Sequence, residues 1–76
     1  MKSVVHRLVS IEQEPVELCK ILKFENLVLS GGEAKHAIKN GMVLVNGFIE
    51  KRKRKKIFAG DIVEFNGETM ELCKIE

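Results

Sequence analysis

Two cysteines and two histidines are the residue types in this chain that most often carry nucleophilic or metal chemistry. A nucleophilic cysteine needs a general base within hydrogen-bond reach, and no recognisable spacing places His6 or His36 beside Cys19 or Cys73. Both thiols stand among aliphatic residues, where cysteine behaves as a small buried hydrophobe. The chain has no Cys-x-x-Cys pair, and two separated histidines make no zinc site. We therefore expect core packing for both cysteines, a structural role for His6, no enzyme activity, no metal and no cofactor.

Anion binding is the second chemistry that the residue types allow, and its clearest signal is an unbroken run of basic residues. Lys51-Arg52-Lys53-Arg54-Lys55-Lys56 holds six of the 13 basic residues. The mutual repulsion of these cations must be offset by solvent or by a polyanion. Taken alone, this basic patch fits a solvated loop, an anionic membrane surface, a nuclear localisation signal or a nucleic acid.

A possible helix start supplies the other anion signal. Ser30-Gly31-Gly32-Glu33 has capping-box spacing, with Ser30 as N-cap and Glu33 at N3. The free N–H groups and the dipole at such a start attract phosphate. The candidate binding residues on this helix and in the basic run are Ser30, Gly31, Gly32, Lys35, His36, Lys39, Lys51, Arg52, Lys53, Arg54, Lys55 and Lys56.

The first half of the chain predicts one strand and two helices that would position these residues. Val4 to Ile11 is rich in Val, Leu and Ile and predicts a strand. A helix from about Pro15 to Phe24 follows, because proline suits the first helical position. The capped second helix extends to Asn40, and Gly41 accepts a left-handed conformation. The expected core faces are Leu18, Cys19 and Leu22 on the first helix, with Ile21 near the edge, and Ala34, Ala37 and Ile38 on the second; the small alanines allow close helix packing.

The second half predicts short strands joined by tight turns. Asn46-Gly47 between Met42–Val45 and Phe48–Ile49 is a strong hairpin signal, since both turn residues tolerate positive φ. Asn66-Gly67 repeats the arrangement between Ile57–Phe65 and Glu68–Ile75, with a turn at Gly60-Asp61. The predicted fold class is α+β: an N-terminal strand, two packed helices and a small, mostly antiparallel sheet of about four short strands.

Size, charge and aromatic content favour a surface binding module. At 76 residues, of which 45% are hydrophobic, the chain fits one small folded domain with a thin core. The net charge of +2 hides an uneven distribution of −1 over residues 1–19, +7 over 20–56 and −4 over 57–76. Only four aromatic residues occur, all phenylalanine, and we expect several in the core, which disfavours a base-stacking platform.

The number of cysteines and the absence of long apolar runs indicate the cellular compartment in which the protein is located. Two cysteines cannot form a dense disulfide framework, so a reducing environment is the default. The sequence contains neither a secretory signal nor an apolar run of about 18 residues. We expect a cytoplasmic protein with no membrane span.

One ordered set of motifs runs through most of the chain: Ser30-Gly31-Gly32-Glu33-Ala34-Lys35, Ile38, Asn40-Gly41, Val43, Val45-Asn46-Gly47 and Gly60-Asp61. In this order the motifs resemble the alpha-L RNA-binding domain family, named after small-subunit ribosomal protein S-four. The resemblance spans about Pro15 to Phe65. The N-terminal strand, the Ser-Gly-Gly sequence and the basic loop are similar to the small stand-alone bacterial members of that family.

The resemblance implies a division of the chain and a binding surface. It implies one RNA-binding domain over residues 1–76, with an N-terminal strand extension over 1–14, an alpha-L motif core over 15–65 and a closing strand over 66–76. In the family the second helix and the following hairpin contact RNA, which implies such contacts for Ser30, Lys35 and Lys39. Many members carry arginine where this chain has Gly31, and the unusually basic spacer is a candidate replacement for that contact.

The resulting hypothesis is a non-enzymatic, cytoplasmic protein that binds structured RNA by its backbone and shape. Ribosomal RNA or a ribosome-assembly intermediate is the expected target, with contact to the ribosome or to an assembly factor. The alternative is a protein-interaction adaptor whose basic loop docks on an acidic partner or an anionic membrane surface. A small cysteine enzyme is a third and weaker hypothesis.

Overall fold

In the computed structural model, which describes residues 5–75, two helices and one face of a sheet enclose a single hydrophobic core. The elements in chain order are β1 (Val5–Ile11), β2 (Val16–Glu17), α1 (Leu18–Phe24), α2 (Gly31–Lys39), β3 (Val43–Val45), β4 (Phe48–Ile49), β5 (Lys56–Ile57), β6 (Ile62–Phe65) and β7 (Glu68–Lys74). The α+β class is confirmed, and so is the N-terminal strand, whose predicted first residue Val4 lies outside the described residues. Neither helix of this part of the chain is long and apolar enough to cross a membrane.

The main sheet has five strands in the order β1-β7-β6-β3-β4. The β1–β7 pair is parallel, and the other three pairs are antiparallel, which confirms a mostly antiparallel sheet. Strands β2 and β5 form a separate antiparallel pair with Val16 opposite Ile57 and Glu17 opposite Lys56. This small second sheet was not predicted.

Both Asn-Gly turns form as predicted. Asn46 and Gly47 have φ of 52° and 86°, and Asn66 and Gly67 have 52° and 80°, so all four adopt the left-handed region that such hairpins require. Gly41, after the end of α2, has φ of 74°.

The start of α1 differs from the prediction. Pro15 does not begin the helix, because Val16 and Glu17 are extended and paired with β5, and the helix begins at Leu18. The β5 pairing also divides the strand predicted over Ile57–Phe65, since β5 ends at Ile57 and β6 begins at Ile62. A pairing between residues 39 and 41 positions apart is a tertiary contact that local helix signals do not report.

The cysteines are less buried than predicted. The buried face of α1 is Leu18, Ile21 and Leu22, while Cys19 is half-buried at the margin of the core. Cys73 alternates with the buried Leu72 along β7 and is half-buried. The prediction of core packing is therefore confirmed in part for Cys19, which packs against the core while half-buried, and Cys73 is half-buried instead of buried. For α2 the predicted core face, Ala34, Ala37 and Ile38, is buried, and α2 packs against α1.

Candidate nucleic-acid interface

The first turn of α2 has the predicted cap. Ser30 Oγ accepts a hydrogen bond from the Glu33 N–H at 3.2 Å, and the Ser30 carbonyl accepts from the Ala34 N–H at 3.1 Å. A Cβ at Gly31 would meet no atom within 4 Å, and one at Gly32 would meet only Ser30 Oγ, at 3.8 Å. The space over this helix end is therefore open, and neither glycine is required by its own backbone or neighbours.

Lys35 and Lys39 share one exposed stripe of α2. Residues four apart on a helix are separated by about 40° around the axis, so the two side chains project from the same side. Both lysines are exposed, whereas Ala34 and Ala37 face the core. The fixed core face of α2 thus determines where the lysines point.

The basic segment, residues 51–56, has a backbone held against α1. The carbonyls of Lys55 and Lys53 accept from the N–H groups of Leu18 at 2.9 Å and Cys19 at 3.1 Å. These N–H groups belong to the first turn of α1, which receives no side-chain cap from Glu17. The segment then enters β5 at Lys56. It is a loop as predicted, but it is anchored at several points.

The basic segment and α2 meet at one concave surface of about 850 Å³, which we call the basic concavity. Its lining consists of Lys35, Lys39, Lys51, Arg52, Lys53, Arg54, Lys55 and Lys56. Gly41 adjoins the concavity after the end of α2, because a Cβ there would lie 3.6 Å from Lys51 Cε. Eight basic side chains from two separate elements therefore line one surface, and no acidic side chain among residues 5–75 lines it.

Electrostatic repulsion inside the basic concavity is visible at Lys53. Lys35 lowers the pKa of Lys53 below its usual range, first through an interaction between the two side chains and then through its positive charge. Both the contact and the charge of Lys35 disfavour a second positive charge here. An anion between the two amino groups would relieve this repulsion.

Arg52 is the cation of the concavity that has an acidic partner. Its Nε and Nη2 donate to Glu50 Oε2 at 2.9 Å and Oε1 at 3.2 Å, and its backbone N–H also donates to Oε2, at 3.1 Å. This arrangement lowers the pKa of Glu50 and raises that of Arg52. Part of the charge of Arg52 is thus neutralised before any ligand binds.

Not all the predicted site residues converge. Ser30, Gly31 and Gly32 lie at the N-terminus of α2, about one turn before Lys35, and do not line the basic concavity. The His36 side chain is exposed but also outside the lining. Its carbonyl accepts from the Asn40 N–H at 3.1 Å and from Asn40 Nδ2 at 2.7 Å, which closes the helix. His6 lies away from this surface, 3.5 Å from Glu71 on β7.

Two motif residues singled out in the sequence contact each other. Asn46 Nδ2 donates to Asp61 Oδ1 at 3.1 Å, and Asn46 Oδ1 accepts from the Ile62 N–H at 2.9 Å. Asp61 Oδ2 accepts from the Phe58 N–H at 2.8 Å. The Val-x-Val-Asn-Gly and Gly-Asp motifs therefore join the β3–β4 turn to the turn between β5 and β6. Sequence spacing alone gave no signal for this link.

The expectation that several phenylalanines are buried is wrong. Phe65 is in the core, but Phe24, Phe48 and Phe58 are 68%, 78% and 47% exposed. Phe48 lies on the edge strand β4, which has a neighbour on one side only, and Phe58 follows the two-residue strand β5. The helices therefore do not cover these aromatic side chains.

Comparison with known proteins identifies the family. A family model described as the S4 domain matches residues 9–73. The chain belongs to the S4 domain family. The motifs from Ser30 to Asp61 that resemble the S-four-type RNA-binding domain all fall inside the matched range.

Two S4 domain relatives are similar over most of their length. "Putative RNA-binding protein YbcJ" of Escherichia coli (strain K12) is 49% identical over 57 residues, covering 75% of this chain and 81% of the relative. "Probable ribosome maturation protein RlbA" of Bacillus subtilis (strain 168) is 37% identical over 59 residues, covering 78% of this chain and 83% of the relative. One name describes RNA binding and the other describes ribosome maturation.

The S4 domain fold also matches a solved structure. The solution structure of YbcJ from E. coli, described as revealing an alfaL motif involved in RNA-binding, superposes with a TM-score of 0.62 at 38% identity. The match covers 96% of this chain and 91% of that one. The predicted alpha-L motif fold is thereby confirmed.

Proposed function

We propose that this S4 domain protein is a non-enzymatic, cytoplasmic RNA-binding protein that contacts structured RNA through the basic concavity and the open N-terminus of α2. One observation carries the proposal: eight basic side chains from two elements line one surface without an acidic lining residue in the described part of the chain. A polyanion with closely spaced charges is the ligand that best offsets such a surface.

The geometry favours a structured RNA over an extended acidic peptide. Lys35 and Lys39 are held about 6 Å apart along the axis of a helix whose opposite face is buried, so they present a fixed spacing. The basic segment is anchored by its own carbonyls and presents a second row of cations. Two fixed rows suit the two backbones that border a groove of an RNA helix. Phosphate contacts of this kind fix the position of the protein on the RNA, while the shape of the RNA determines which RNA is preferred.

Ribosomal RNA or a ribosome-assembly intermediate is the target that we propose. The names of the relatives support this choice, since one is described as RNA-binding and another as a ribosome maturation protein. Contact with the ribosome or an assembly factor belongs to the same proposal. An adaptor that docks on an acidic protein or an anionic membrane is the competing function, and the experiment below includes it.

We also propose that residues 15–65 are the RNA-contacting core of one domain. All the proposed contact residues lie inside this range. Residues 1–14 and 66–76 contribute β1 and β7, which pair with each other at the other side of the sheet. They would support the core without contacting RNA.

The test compares two pairs of helix lysines. Lys35→Gln/Lys39→Gln removes two charges from the concavity, and Lys20→Gln/Lys23→Gln removes two exposed charges from α1 outside it. Binding to a folded ribosomal RNA hairpin is measured as a function of salt for both variants and the wild type. We expect the log–log slope to fall by about 0.7–0.9 for each lost phosphate contact in the first variant and to stay unchanged in the control.

Three results would contradict the proposal. One is wild-type affinity that does not depend on salt, and another is an equal loss of slope in the Lys20/Lys23 control. The third is tighter binding to an acidic protein or to vesicles containing anionic lipid than to the hairpin at the same salt. The third result would favour the adaptor.

A further inference from the structure

Two exposed phenylalanines flank the basic segment. Phe48 lies three residues before Lys51 and is 78% exposed, and Phe58 lies two residues after Lys56 and is 47% exposed. Leaving a large aromatic side chain in water forgoes the free energy that its burial would contribute. Both positions lie within three residues of the basic segment in the sequence, at its two ends.

The Asn46–Asp61 contact holds the two aromatic positions near each other. The Asp61 carboxylate accepts from the Asn46 side chain at 3.1 Å and from the Phe58 N–H at 2.8 Å. Phe48 is two residues from Asn46, just after the hairpin turn. One carboxylate therefore fixes the backbone of Phe58 beside the hairpin that carries Phe48.

We propose that Phe48 and Phe58 form a stacking surface for an unpaired RNA base next to the basic concavity. This inference rests on the proposed RNA-binding function and narrows its target to a helix interrupted by a bulge or loop. Aromatic faces stack on any base that is free of its partner. Three residues of extended chain from Phe48 to Lys51 span at most about 10 Å, so a base at Phe48 and phosphates at the basic segment can belong to neighbouring nucleotides.

The adjacent charge favours RNA over a protein occupant of this surface. An exposed edge strand such as β4 can also add a strand from a peptide or from a second copy of the chain. Every residue of the adjoining basic segment is a cation, and a second copy would bring an identical positive surface to the contact. Repulsion opposes that pairing, whereas a nucleotide brings both a flat base and a phosphate.

The experiment uses two hairpin RNAs of equal length and charge, one fully paired and one with a single bulged 2-aminopurine. The tested variant is Phe48→Ala/Phe58→Ala, and Phe48→Trp is the conservative variant. Phe24→Ala is the matched control, since Phe24 is 68% exposed at the end of α1 and away from the basic segment. Affinity, 2-aminopurine fluorescence and thermal melting are measured for each.

We expect the wild type to prefer the bulged hairpin by at least about fivefold, in the range of one stacked base, and to quench its fluorescence. The double variant should lose the preference and the quenching but keep its melting temperature and its salt slope on the paired hairpin. The Phe48→Trp and Phe24→Ala variants should retain both the preference for the bulged hairpin and the fluorescence quenching.

Equal wild-type binding to the two hairpins, or loss of preference in Phe24→Ala, would overturn the stacking inference while the RNA-binding proposal stands. Absence of salt-dependent binding to either hairpin would overturn both. A wild-type dimer that the double variant converts to a monomer would assign the aromatic surface to self-association instead.

Discussion

At the scale of single residues, Lys35 and Lys53 are two cations of the basic concavity whose interaction is unfavourable. The pKa of Lys53 is lowered by this interaction. A lysine with a lower pKa in the folded state than in the unfolded state destabilises the fold while it is charged. The cost is complete below the lowered pKa of Lys53 and disappears as the pH rises from that pKa to the usual pKa of lysine.

The prediction for Lys35→Gln is a gain in stability together with a loss of binding. Removal of the Lys35 charge relieves Lys53, so the melting temperature at pH 7 should rise. Affinity for the RNA hairpin should fall about fivefold at 0.1 M salt through one lost phosphate contact. Lys20→Gln should change neither, and a Lys35→Gln protein that melts lower than the wild type would contradict the repulsion.

The sequence indicated those candidate site residues that depend on local signals, but not those that depend on tertiary contacts. Ser30, Lys35 and Lys39 were predicted because capping and helical spacing are local properties. The Lys35–Lys53 contact was not predicted, because it joins α2 to a segment 18 residues later. The exposure of Phe48 and Phe58 was also missed, because composition does not tell which strand lies at the edge of a sheet or which residues fall just outside a strand.

At the scale of elements, the basic segment accepts hydrogen bonds from the start of α1 and also lines the basic concavity. Its carbonyls accept the N–H groups of the first turn of α1, and β5 pairs with β2 directly before that turn. The local signals at Pro15 predicted an earlier helix start because they do not include this partner. The hairpins were predicted correctly because the left-handed conformation of Asn-Gly is fixed by the residues themselves.

The link between the two motif turns gives the element-scale prediction. Asn46→Ala removes two side-chain hydrogen bonds and places alanine at φ of 52°, whereas Asn66→Ala places alanine at the same φ. Among the hydrogen bonds of the described residues, the Asn66 side chain makes none. The two variants therefore share the conformational cost, and Asn46→Ala should lose about 1–3 kcal/mol more in urea unfolding. Equal losses would show that the Asn46–Asp61 link does not stabilise the fold.

At the scale of the whole molecule, most ion pairs lie apart from the clustered cations of the basic concavity. Arg7 of β1 is paired with Glu25, at 3.3 Å, and with Glu68, and Lys74 lies 3.6 Å from Glu14. These pairs lie outside the lining of the basic concavity, where Glu50–Arg52 is the ion pair present among residues 5–75. The net charge of +2 thus consists of eight basic residues in the concavity and, elsewhere, five basic and 11 acidic residues, so the rest of the molecule has an excess of six acidic residues.

This separation predicts opposite effects of salt on folding and on binding. Salt screens both the repulsion in the concavity and the attraction in the ion pairs, but exposed ion pairs contribute little and eight clustered cations repel strongly. The melting temperature of the protein alone should therefore rise between 0.05 and 0.5 M NaCl. RNA that binds the folded state raises the melting temperature by mass action, and this increment should be large at low salt and absent at high salt, because counterion release weakens binding. Scanning calorimetry with and without the hairpin measures both trends. A melting temperature that falls with salt in the free protein would mean that the ion pairs of Arg7 and Lys74 outweigh the repulsion among the concavity lysines.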